Sequence, residues 1–173
     1  MGGGTIEDVY LKLDDLSTRM DKNDNIGKVC SALYKSDESL YDISMPAKIP
    51  CTITNVNNAN DLLEVTSDGC IKVISDKVKA LLLSGGSMTY QPGSTDTYYW
   101  TRINHYIAST GAINYVGYCL AAHKNGWASS NITPFPVKCS KGDYFYMYCI
   151  SDGSFQLRGG SNTHLTAVII ESS

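Results

Sequence analysis

From Ile49 to Glu171 the chain is a series of short apolar or β-branched runs cut by turn signals, and nothing else restricts its fold as much. The alternation predicts strands over Ile49–Thr54, Leu62–Thr66, Cys70–Ser75, Lys79–Ser84, Tyr98–Ser109, Ile113–His123, Pro136–Lys138, Tyr144–Ser151, Ser154–Leu157 and Thr163–Glu171. Ser67-Asp68-Gly69, Gly85-Gly86, Pro92-Gly93, Thr110-Gly111, Ser140-Lys141-Gly142, Asp152-Gly153 and Gly159-Gly160 supply turn chemistry between them. Many short strands joined by close turns predict a mainly β chain, an antiparallel sandwich or jelly roll.

A different rhythm precedes the strands. Ile6, Val9, Leu13, Leu16 and Met20 step by three, four, three and four residues, the a/d spacing of a coiled coil. Thr5 can cap this helix, and Glu7 and Asp8 suit the positive end of its dipole. A helix of about fifteen residues is marginal alone in water, so it needs partners. Lys12, Asp14, Asp15 and Arg19 keep its other face polar, and Val9 at d with Leu13 at a leans toward three strands. The expected layout is a flexible tether at 1–4, a trimeric coiled-coil stalk at 5–22, a linker at 23–44 and a β head at 45–173. Asp21, Asn23 and Asn25 fall at calcium-loop spacing, but Ile26 replaces the required glycine, so solvated linker is the better reading.

Composition narrows the function classes. Fourteen basic and 17 acidic residues nearly balance, without a basic run, so a nucleic-acid footprint is not expected. No stretch has membrane-spanning length, and the first residues lack the pattern of a secretory signal peptide. Cys30, Cys51, Cys70, Cys119, Cys139 and Cys149 are widely and irregularly spaced, with no CxxC pair; free, mostly buried thiols are expected, with disulfides as the alternative.

Residues 98–173 hold only eight charged side chains but eight of the twelve tyrosines. In the strand at 144–151, Tyr144, Tyr146 and Tyr148 share one face while Phe145, Met147 and Cys149 share the other. Leu165, Ala167 and Ile169 oppose Thr166, Val168 and Ile170 in the same way. Apolar residues on both faces predict that one face meets another subunit, through Tyr144, Tyr146, Tyr148, Leu165, Ala167 and Ile169.

No catalytic constellation is legible. His105, His123 and His164 have no second ligand at metal spacing, and Cys119 and His123 lie roughly 13 Å apart along a strand. Nucleophile elbows and phosphate-binding glycine loops are missing as well, so no enzyme, cofactor or metal is expected. The candidate ligand-binding residues are aromatic groups near predicted loops: Tyr98, Tyr99 and Trp100 after the 91–97 loop, and Trp127 in the loop 125–130.

The run Phe135-Pro136-Val137-Lys138-Cys139-Ser140-Lys141-Gly142-Asp143-Tyr144 resembles the late Lys-Gly-Asp turn of the trimeric jelly rolls of the tumour necrosis factor and complement globular-head type. His164-Leu165-Thr166-Ala167-Val168-Ile169-Ile170 resembles their closing strand. Val65-Thr66-Ser67-Asp68-Gly69-Cys70-Ile71-Lys72-Val73 is similar to the strand–Asp-Gly–strand element of bacteriophage fibre heads, and the tether, stalk and head layout resembles such fibres. No Gly-X-Y tract precedes the head. Together these resemblances imply a homotrimeric virion structural protein, assembled in the host cytoplasm and displayed on the virion surface. It would be docked to a capsid or tail protein through its N-terminus, with its head facing a host-surface glycan or receptor. A capsid head fibre is favoured. The alternatives are a tail or baseplate receptor-binding protein, and a secreted or spore-surface head of the tumour-necrosis-factor type.

Overall fold

Alternation of inward apolar and outward polar or aromatic residues builds two antiparallel sheets that share one core. The computed structural model describes residues 6–44, 46–93, 97–123 and 125–173. Helix α1 (Ile6–Asn25) leads into β1 (Val29–Leu33), β2 (Leu40–Ile43), β3 (Ala47–Ile49), β4 (Ile53–Asn57), β5 (Leu63–Val65), β6 (Ile71–Val73), β7 (Val78–Gln91) and β8 (Thr97–Ile107). Then follow β9 (Ala112–His123), β10 (Gly126–Lys138), β11 (Tyr144–Ser151), β12 (Phe155–Arg158) and β13 (His164–Ser172).

The first sheet runs β2-β12-β7-β13-β1-β4, with β10 also paired to β7; the second runs β5-β6-β11-β8-β9, with β3 on β11. First and last strands lie side by side, Cys30 opposite Ala167 and Ala32 opposite Leu165. Neighbours in each sheet are mostly distant in sequence, which is the crossing pattern of a jelly roll.

Leu81, Leu83, Leu165, Ala167 and Ile169 of the first sheet meet Ile71, Tyr99, Ile103, Phe145 and Met147 of the second, all with no exposure. Burying each large aliphatic side chain contributes about 1.5–3 kcal/mol. A polar cluster joins the sheets inside this core. Ser87 Oγ lies 2.6 Å from both Tyr99 Oη and Thr101 Oγ1, and Tyr99 Oη lies 2.8 Å from Cys149 Sγ.

Three expectations change. Leu165, Ala167 and Ile169 line the chain's own core, so they cannot also face a second subunit; the outer face of β13 is His164, Thr166 and Val168. The predicted linker 23–44 contains β1 and β2, and the head begins near Gly27, because Val-Cys-Ser-Ala-Leu is too short and small a run to stand out. Gly85-Gly86 is not a turn but the middle of β7. A Cβ at Gly86 would fall 2.5 Å from Asn131 Oδ1 and 3.1 Å from His164 Cε1, so glycine there leaves room for the side chains of its two cross-strand neighbours.

The predicted helix exists and is longer than expected. Asn25 is buried, its Nδ2 3.3 Å from Ser172 Oγ, and the Gly27 N–H donates to Ile169 O at 2.8 Å, with Gly27 at φ +85°. That left-handed glycine turns the chain into the sheet. Upstream, Tyr10, Leu11 and Leu13 are exposed by 69%, 66% and 55%. The seam side chains of Ile6, Val9, Leu16 and Met20, and the tether 1–4, lie outside the described residues.

Candidate functional site

The outer face of the second sheet carries the chain's aromatic surplus. Strand β8 points Tyr98, Trp100, Arg102, Asn104 and Tyr106 outward, and β11 points Tyr144, Tyr146, Tyr148 and Ile150 the same way. Register sets Tyr144 beside Tyr106, Tyr146 beside Asn104, Tyr148 beside Arg102 and Ile150 beside Trp100. The Tyr106 and Tyr144 rings stack with centroids 4.4 Å apart.

Strand β9 completes this face through a bulge. Asn104 pairs with Tyr115 and Ile103 with Gly117, so Val116 is an extra residue. In a regular strand Tyr115 and Tyr118 would point to opposite sides. The additional residue resets the alternation, and both tyrosines face outward, exposed by 68% and 76%. Gly117 lies against β10, where a Cβ would fall 2.7 Å from Phe135 Cζ and 2.9 Å from Ile132 Cγ2.

A groove of about 390 Å³ results, lined by Trp100, Arg102, Tyr115, Tyr118 and Ile150. The Arg102 guanidinium lies 4.0 Å from the Tyr115 ring centroid and 4.6 Å from that of Tyr148. Its Nε is buried without a hydrogen-bond partner, as is Asn104 Oδ1 two residues along the same face. The other cations of this face differ. Lys48 Nζ is 2.6 Å from Asp68 Oδ2, and Lys72 Nζ is 3.7 Å from Glu64 Oε1.

The predicted ligand residues are not brought together. Trp100 belongs to the groove, with Tyr98 next to it at 6.2 Å between ring centroids. Tyr99 is a core residue with no exposure, and burial together with Cys149 pushes its hydroxyl well above the usual tyrosine value. Trp127 sits on β10 rather than in a loop, half exposed on the first sheet beside Tyr90 and under the Arg158 guanidinium. Proline and polar residues in Gly126–Lys138 mask the strand in the sequence, and pairing with β7 imposes it. Arg102 and the bulge escaped sequence reasoning. A lone arginine on an alternating strand has no distinguishing signal, and a bulge is visible only through its partner strand.

Elsewhere the chemistry is structural. His105 Nε2 and Asp143 Oδ2 form a buried pair. Burial pushes the thiols of Cys30, Cys139 and Cys149 up to about 12, and raises Cys51 and Cys70 as well. Among the described residues, no group of three His, Cys, Asp or Glu converges as a metal site, and no helix is long and apolar enough to cross a membrane.

No family model matches the sequence, and no curated protein is similar to it. Solved structures are similar in fold. Eiger TNF from S. frugiperda aligns at a TM-score of 0.63 and 10% identity, over 86% of this chain and 95% of that one. Murine APRIL at pH 8.5 aligns at 0.62 and 11%, over 83% and 98%. The globular domain of zebrafish complement 1qA protein aligns at 0.55 and 12%, over 84% and 99%. The chain therefore has the jelly-roll fold of tumour-necrosis-factor and complement globular heads. These likenesses do not bear on a bacteriophage origin.

Proposed function

We propose that the chain is a non-enzymatic homotrimeric virion fibre, favoured as a capsid head fibre, whose jelly-roll head attaches to a host-surface glycan or receptor. The observation that carries the reading is α1, a twenty-residue helix whose seam residue Leu13 is exposed beside a head that has its own complete core. A helix of that kind gains stability by bundling with copies of itself. Three bundled helices would place the sheet holding β1 and β13 nearest the axis, since α1 is pinned to β13. The tyrosine face on β8, β9 and β11 would then point outward, a departure from the expectation that Tyr144, Tyr146 and Tyr148 meet a second subunit. Three weak head sites held together gain avidity, which suits attachment.

A second reading, a secreted or spore-surface head of the tumour-necrosis-factor type, draws on the likeness to Eiger TNF and APRIL. The six unpaired cysteines weigh against it, because export favours disulfides.

Light scattering on the purified chain tests the trimer. A mass three times 18.8 kDa is expected, and a monomer overturns the fibre. L13D, at a seam position, should weaken assembly at low protein concentration. Blocking of host adsorption by the isolated protein separates the two virion positions, strong for a tail protein and weak for a capsid fibre.

A further inference from the structure

We infer that the groove between β8 and β9 binds the carboxylate of an acidic sugar, a uronic or sialic acid residue, through Arg102. The inference rests on the attachment reading above and names its ligand class. Its starting point is an imbalance of charge. Among the described residues, Lys48, Lys72 and Arg102 are the cations of this sheet face, and Asp68 and Glu64 pair with the first two. Arg102 has no hydrogen-bond or ion-pair partner among the described residues, although its Nε is fully buried. The residue as a whole is half-buried and its guanidinium rests on two tyrosine rings, but an unsatisfied buried donor in a native fold needs a reason. Arg102 also lines the groove, so an anion arriving from outside the chain would meet its guanidinium there.

The surroundings favour a carboxylate carried on a sugar. The Tyr115 and Tyr148 rings hold the guanidinium plane in place, so little side-chain freedom is lost when it forks onto a planar carboxylate. Trp100, Tyr115 and Tyr118 form the walls, and aromatic faces stack against the C–H face of a pyranose ring. The groove volume lies within the range of small-ligand sites, about 300–1,000 Å³. The Val116 bulge is what aims both tyrosines at this spot, and bulges commonly re-aim side chains next to functional sites.

The test titrates the full-length protein with a galacturonate tetramer and its methyl ester, and with sialyllactose and lactose, following tryptophan fluorescence. At least one acid should bind more tightly than its uncharged counterpart by about tenfold, and the preference should fade with added salt. R102Q should abolish the preference, whereas Y118A, at an exposed position, should weaken acid and neutral sugar alike. Equal binding of acids and neutral sugars, or no binding of either acid, overturns the inference. So does a change of assembly mass in R102Q, which would make a neighbouring subunit's carboxylate the missing partner. A trimer that binds no acid loses the groove but keeps the fibre; a monomer that binds one keeps the groove and loses the fibre.

Discussion

The Nε2 of His105 lies 2.9 Å from Oδ2 of Asp143, and neither residue is more than 5% exposed. Asp143 also accepts the Ala108 N–H at 2.9 Å through Oδ1 and the Ser140 N–H at 3.0 Å through Oδ2. One carboxylate thus fastens the Lys-Gly-Asp turn to the end of β8, while His105 stacks on Phe145 at 4.5 Å. D143N should be costly despite its similar shape, because the amide NH₂ must face at least one N–H donor. The expected loss is about 2–4 kcal/mol of stability. Urea unfolding of the variant beside the parent chain measures it.

G117A should destabilise by about 1–3 kcal/mol, because the new methyl group meets Phe135 and Ile132. Thermal unfolding gives the cost. Tyrosine fluorescence should change along with it if Tyr115 and Tyr118 are displaced, and an unchanged melting temperature would show that β9 and β10 can part without penalty.

Lys48 and then Thr66 hold the carboxyl of Asp68 down to about 2, from an ordinary value of 3.8. A lowered folded value stabilises above the unfolded value and is lost as pH falls through the folded one. The contribution should therefore be present above 3.8 and disappear toward pH 2. Asp68 is 67% exposed, so it amounts to less than about 1 kcal/mol. Stability curves of the parent and D68N should converge at the acid end.

Five of the six thiols are buried and Cys119 is half-buried. Iodoacetamide should modify Cys119 first in the native protein and reach the others only after unfolding. Cys30, Cys139 and Cys149 stay protonated up to about 12, whereas unfolded thiols ionise near their ordinary value of 9.0. Alkali therefore favours the unfolded chain, and stability should fall as pH rises from 9.0 toward 12.

The sandwich was legible because its strands alternate and its turns carry Gly, Asp and Ser; Tyr144–Ser151 matches β11 at both ends. Failures arose where partner strands decide. Leu165, Ala167 and Ile169 could not be assigned to core or interface from parity alone, since Thr166, Val168 and Ile170 are nearly as apolar. Gly85-Gly86 carries turn chemistry but sits mid-strand between β10 and β13, and Trp127 sits among loop-forming residues that β7 draws into the sheet. Of the candidate ligand residues, Trp100 reaches the groove, while the arginine at its centre emits no sequence signal.

Strand β9 obeys one alternation before Val116 and the opposite one after it, so the groove depends on a count of residues as much as on their identity. Replacing Val116 by another small apolar residue should leave Tyr115 and Tyr118 where they are. Deleting it would invert inside and outside along half the strand. Lineages of this protein should therefore tolerate substitutions around the groove far better than insertions or deletions within Tyr115–Tyr118, and a length change there would mark loss of the site even where every aromatic residue survives.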